Sequence, residues 1–135
     1  MSALNKAFGL VGVLWAGSLW SLAWVASMVF HAQSDRHLAG ALVSRFLSIE
    51  TYLGIALAAL ALLLPRRTRF KWGYVAAASL AAIEWLLKPV MERAHERGMV
   101  IGLSFGAWHG VAALFYLCAC LALLALAVKD GRIAP

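Results

Sequence analysis

Charge is what this sequence has least of. Only 13% of its 135 residues are Asp, Glu, Lys or Arg, 64% are hydrophobic, and the mean hydropathy is +0.83. Soluble domains carry roughly 25% charged residues, so a water-facing surface cannot be built from this chain. Cysteine is scarce too. Cys118 and Cys120 are the only two, and residues two apart on a helix point about 200° away from each other. That CxC can neither close a disulfide nor chelate one metal, which leaves packing as its role. There is no nucleophile elbow, no phosphate-binding loop and no HExxH spacing, and none of the four span-borne His and Glu residues belongs to an ExxH pair, so no enzyme class is indicated beyond a haem-dependent oxidase. The formal charge is +6, but the basic residues stand at the ends of apolar runs. No basic face with interleaved aromatics exists, which turns the expectation from nucleic acid to lipid head groups.

What is present is four apolar runs, at about 7–30, 46–64, 72–88 and 101–128, each near the ~20 residues that cross a bilayer as helix. The first follows Lys6 and is too long for the apolar core of a signal peptide. Four spans occupy most of 1–135 and leave no room for a soluble domain. The expected fold is all-α: a single integral membrane four-helix bundle running up-down-up-down. The turn at 65–71, PRRTRFK, carries four positive charges and no acid. By the positive-inside rule it places both termini on the cytoplasmic side, in a bacterial cytoplasmic (inner) membrane. Asp35, Arg36, His37 and Arg45 mark 31–45 as an aqueous or interfacial connection. Pro89 is expected to end or bend the third span, with VMERAHERG as a short charged surface helix capped near Gly98.

Periodicity places an ionisable group beside small residues on each span. On the first, Gly17, Trp20, Trp24, Ser27 and His31 share a side. On the second, Glu50, Gly54, Leu57 and Ala61 do, with Glu50 little more than a turn inside. On the third the set is Gly73, Ala77, Leu80 and Glu84. On the fourth it is Gly102, Gly106, His109, Ala113, Tyr116 and Cys120. Burying an unpaired charge in hydrocarbon costs several kcal/mol, so these groups are expected to face one another in the outer half. His and Glu projecting inward from four helices is how bundles build metal and cofactor sites. A purely structural account stands beside it. Glu84 would pair with Lys88 in the favourable i, i+4 order, Glu50 with Arg45, and His109 with a backbone carbonyl, while His31 stays wet.

LWAGSLW, then VF followed by DRHLAG and RFLSIETYLG, then a fourth span with Phe105 and His109, resemble the transmembrane-protein-205-like family of small four-span membrane proteins. The resemblance covers nearly the whole chain and implies Asp35, Arg36, Ala39, Gly40, Glu50 and His109 as the matching positions. Ser27 and Met28 stand where that family commonly has a proline, and Ala112 and Phe115 replace polar residues after the histidine. The family implies no agreed activity. Its arrangement is similar to copper-resistance-D-like and haem-binding protoporphyrinogen-oxidase-like membrane proteins, a likeness of fold only.

Three functions follow as expectations. The first is a bundle binding haem or a transition metal, with His109 and His31 as ligands and Glu50 and Glu84 as ligands or ring-orienting carboxylates. The second is an oligomeric, proton-coupled small-solute carrier using its intramembrane acids. The third is a non-catalytic membrane subunit that packs, as a homo-oligomer or on a partner, through Gly102, Gly106 and Gly110.

Overall fold

The structure is a computed structural model that describes residues 3–63 and 70–131. It is all-helical apart from one small hairpin. In chain order it comprises α1 (Ala3–Ala32), α2 (Arg36–Leu62), α3 (Lys71–Ala82), a π-helical turn (Ile83–Leu87), α4 (Lys88–Arg97), β1 (Met99–Val100), β2 (Leu103–Ser104) and α5 (Phe105–Gly131). Four helical stretches are long and apolar enough to cross a membrane: Lys6–Ala32, Arg36–Leu62, Lys71–Arg97 and Phe105–Val128. Arg66, Arg67, Arg69 and Arg132, on which much of the orientation rests, lie outside the described residues.

Three boundaries differ from the sequence reading, each for a local reason. The second span begins at Arg36 rather than about 46. Asp35 caps it, its Oδ1 accepting from the backbone N–H groups of His37 (2.9 Å) and Leu38 (3.2 Å), which satisfies two of the donors a helix start leaves orphaned. The first connection therefore shrinks to residues 33–35.

The third span does not stop at Pro89 but runs on to Arg97. A proline inside a regular helix removes a hydrogen bond and clashes with the preceding turn. Here the preceding turn is widened, with the Lys88 N–H donating to the Ile83 carbonyl five residues back. Gly98, at φ 84, ends the helix as expected.

The fourth span starts at Phe105 rather than 101. Met99–Val100 pairs antiparallel with Leu103–Ser104, and the turn between them holds Ile101 at φ 53 and Gly102 at φ 73. Gly102 is thus a turn residue, not part of a helical glycine row.

The helices contact in the cyclic order α1, α2, α3, α5 and back to α1. Their shared core contains Trp15, Leu19, Leu80, Ile83, Leu123 and Leu126. Helix association in lipid depends on close packing, because the surrounding tails are as apolar as the side chains. One device is a knob in a notch. Trp15 is 1% exposed and lies so close over Gly54 that a Cβ there would come within 2.5 Å of Cζ2. At one end of the bundle Phe8, Phe70 and Tyr74 stack edge to face, with centroids 4.9 and 5.4 Å apart. Leu14, Leu53, Leu60, Leu86 and Leu114 point away from the core, the surface a lipid-embedded bundle presents.

Candidate functional site

Glu50 is the buried carboxyl of this bundle. It is 8% exposed, although it belongs to a residue type that is almost never fully buried unless paired. It lies 14 residues from the start of α2 and 12 from its end, hence about 21 and 18 Å along the axis at ~1.5 Å per residue. That is halfway along the span, not one turn inside it. The difference follows from the earlier start of α2 at Arg36.

The Ser18 hydroxyl of α1 donates to Glu50 Oε1. Oε2 is buried and has no hydrogen-bond partner, and the same holds for the indole Nε1 of Trp15 one turn before Ser18. Thr51, fully buried beside Glu50, spends its hydroxyl on the Leu47 carbonyl of its own helix at 2.9 Å. Across the bundle Tyr116 and Cys120, one turn apart on α5, lie within electrostatic range of Glu50. The Tyr116 hydroxyl donates to the Leu19 carbonyl, and Trp20 Nε1 donates to the Cys120 carbonyl at 3.1 Å. Helices α1 and α5 are thereby joined at Leu19 and Trp20, immediately beyond Ser18. Ser18 itself is exposed, so the site is sealed toward the core and edged by a hydroxyl on the lipid side.

Glu84 stands at a similar depth, 13 residues from each end of the Lys71–Arg97 helix, but in another environment. Oε2 pairs with Lys88 Nζ, and Oε1 accepts from the Ser48 hydroxyl at 2.9 Å. Lys88 also donates to Ser48 Oγ (2.8 Å) and to the Ser44 carbonyl (3.3 Å). The result is a closed clamp between α2 and the third span, matching the ion pair expected from i, i+4 spacing. Ser48 and Glu50 are two apart on α2 and so leave it in opposite directions. One meets Glu84 of the third span and the other meets Ser18 of α1, which is why the two carboxyls do not share a pocket.

The histidines are elsewhere. His31 is exposed, its Nδ1 2.9 Å from the Ser27 carbonyl of its own helix. His109 is exposed too, stacked on Phe105 with centroids 6.1 Å apart. His95 meets the same phenyl ring at 5.5 Å, edge to face. The periodic faces of the second and third spans are buried, as the small residues implied. The face carrying His31 on α1 turns outward, because Trp15 and Leu19 take the core positions. On α5 the expected side divides: Gly106, His109 and Ala113 are exposed, whereas Tyr116 is half-buried and Cys120 is buried beside Ala119 and Leu123. Among the described residues no three His, Cys, Asp or Glu side chains come together as metal donors. His31, His109, Glu50 and Glu84 are thus not assembled into a ligand set. Cys118 is exposed and Cys120 buried, both as free thiols, on the opposed faces their spacing requires.

Compared with family models, with curated proteins and with solved structures, the chain matches none.

Proposed function

We propose that this chain is a proton-coupled carrier of a small solute, with Glu50 as the group that takes up and releases the proton. The observation that carries the reading is the buried Glu50 carboxyl, halfway along its span, bonded through one oxygen and unpartnered at the other. An ionisable group at membrane depth is expensive and is characteristic of proton relays and solute paths. Carrier sites commonly lie near the bilayer midplane. A metal ion would find no group of three donors among the described residues, and His31 and His109, the side chains a haem would need, are exposed on separate helices.

The reading includes a topology. Residue pairs across α1 and α2 (Trp15 with Gly54, Ser18 with Glu50) run in opposite sequence directions. So do those across α2 and the third span (Ser48 with Glu84, Ser44 with Lys88). The same holds across α1 and α5 (Gly12 with Leu126, Leu19 with Tyr116). These support spans that alternate up and down, and the basic 65–71 turn supports cytoplasmic termini in a bacterial inner membrane.

Four spans are few for a carrier acting alone, so the working unit is a homo-oligomer. Gly106 and Gly110 lie on an exposed face of α5 where a neighbouring helix can approach closely. Gly102, in the hairpin turn, has no part in that contact. The same open face favours a second reading, a non-catalytic subunit packing there on a partner span. In that case Gly106→Leu abolishes assembly and Glu50→Gln has no functional effect.

The test is the uncoupled proton entry (slip) of the carrier in the absence of its solute, followed in vesicles holding the purified protein and a trapped pH dye and driven by a potassium diffusion potential. It is paired with peptide mapping after treatment with a membrane-soluble carbodiimide, which adds to protonated carboxyls. The expected result is proton entry that falls to the protein-free rate in Glu50→Gln but not in Glu84→Gln, with the adduct on Glu50. Equal rates for wild type and Glu50→Gln, with no adduct on Glu50, overturn the reading.

A further inference from the structure

The hairpin between the third and fourth spans combines two features that are individually unfavourable in water. Its alternate residues Met99, Ile101 and Leu103 are exposed, and Phe105 continues the series at the start of α5. Ile101, at the tip, is 85% exposed. It also sits at φ 53, a left-handed conformation that is unfavourable for an L-residue and suits a β-branched one least. Two central residues at positive φ are what a two-residue type I′ hairpin turn requires, and Asn or Gly meets that demand without strain. Gly102 does so here; Ile101 does not. Turn chemistry therefore gives no reason for isoleucine at this place, and its apolar surface does.

The surroundings say where that surface goes. The hairpin is held rigidly: Trp108 Nε1 of α5 donates to the Val100 carbonyl at 3.1 Å, and Ser104 Oγ accepts from the Ala107 N–H at 3.3 Å. The two residues of each strand extend about 7 Å at ~3.3 Å each, no more than the head-group layer on one side of a bilayer, about 5–7 Å. Tryptophan is the residue type enriched at that boundary, and here one is bonded directly to the hairpin. On the same helix the apolar face continues into Leu114 and Leu117, exposed where the span meets lipid.

We infer that the 99–104 hairpin is an interfacial anchor that seats Met99, Ile101 and Leu103 in the boundary between head groups and acyl chains. It fixes the height of the third and fourth spans in the membrane. The inference rests on the membrane-spanning character of the chain but not on the carrier reading.

The experiment is site-directed spin labelling of the full chain in phospholipid vesicles, in a Cys118→Ser, Cys120→Ala background. Labels are placed at Ile101→Cys, at Leu114→Cys on the lipid face of α5, and at Glu96→Cys on the exposed side of α4. Collision with oxygen, which concentrates in lipid, is compared with collision with a water-soluble nickel chelate. The expected result is an oxygen preference at 101 that approaches the value at 114 and exceeds that at 96 several-fold. A label at 101 as accessible to nickel as the one at 96, while 114 remains in lipid, overturns the anchor and leaves the membrane reading intact. A label at 101 shielded from both reagents also overturns it, because protein then covers the tip. Met99→Cys replaces Ile101→Cys if that substitution disturbs the turn.

Discussion

Glu50 and Glu84 are two carboxyls at similar depth in one small bundle, and the molecule treats them differently. Both oxygens of Glu84 are engaged, one by Lys88 and one by Ser48, and Lys88 is itself tied to Ser44 and Ser48. Glu50 is the more buried of the two, has one hydroxyl bond and no cation among the described residues, and keeps an orphaned oxygen. Partnered acids in a membrane hold helices together, and their charge is cancelled where it stands. An acid left half-satisfied gains nothing for the fold by being there. The contrast therefore assigns Glu84 to architecture and Glu50 to function, and it can be broken at each end.

The largest expected effect is at the architectural end. Glu84→Ala strands Lys88 against Ser48 and Ser44; the pair is half-buried, so the loss should approach the lower end of the ~3–5 kcal/mol that breaking a fully buried pair costs. Unfolding of the detergent-solubilised protein should show that loss. The double substitution Glu84→Gln, Lys88→Met should recover most of it, since no charge is left behind. Equal stability of Glu84→Ala and wild type would place the two carboxyls in one class.

Next comes the notch that holds Trp15 beside the Glu50 site. Gly54→Ala puts a methyl 2.5 Å from Trp15 Cζ2, inside contact distance with a ring that is 1% exposed. Overpacking of this kind costs about 1–3 kcal/mol. Gly17→Ala on α1, where nothing lies within 4 Å, is the matched control and should melt like wild type. A smaller loss, about 1 kcal/mol, is expected for Ser18→Ala, which removes the one hydrogen bond reaching Glu50.

The comparison between these acids was half legible in the sequence. Hydropathy located four spans because the cost of burying backbone and charge in lipid is large and acts on every residue. The same cost singled out Glu50 and Glu84 on their small-residue faces, and i, i+4 spacing identified Lys88. Depth was misjudged for Glu50 because HLAGALVSR reads as a polar connection, whereas a helix needs only the Asp35 cap to begin there. The His31 face of α1, and the part of the α5 face from Gly106 to Ala113 that carries His109, turn away from the core, whereas Tyr116 and Cys120 of that same face are packed inward. In lipid, the side of an apolar helix that turns inward is chosen by shape, such as Trp15 fitting over Gly54, and shape leaves no periodic trace. Ser18 was passed over altogether; a hydroxyl near the middle of an apolar run was the signal available.

The smallest expected change in stability belongs to the substitution that matters most for function. Glu50→Gln keeps the shape of the side chain and an oxygen for the Ser18 hydroxyl, and it removes the buried acid that the fold leaves with one oxygen unpartnered. Replacing a buried, half-satisfied ionisable group by a neutral isostere is neutral or mildly stabilising, within about 1 kcal/mol of wild type. Vesicle proton entry should nevertheless fall to the protein-free rate, while Glu84→Gln, with the greater effect on melting, keeps it. A Glu50→Gln protein that melts well below wild type and conducts as before would reverse the two roles, making Glu50 a structural acid. That outcome would require a partner for Oε2 that its present surroundings do not supply.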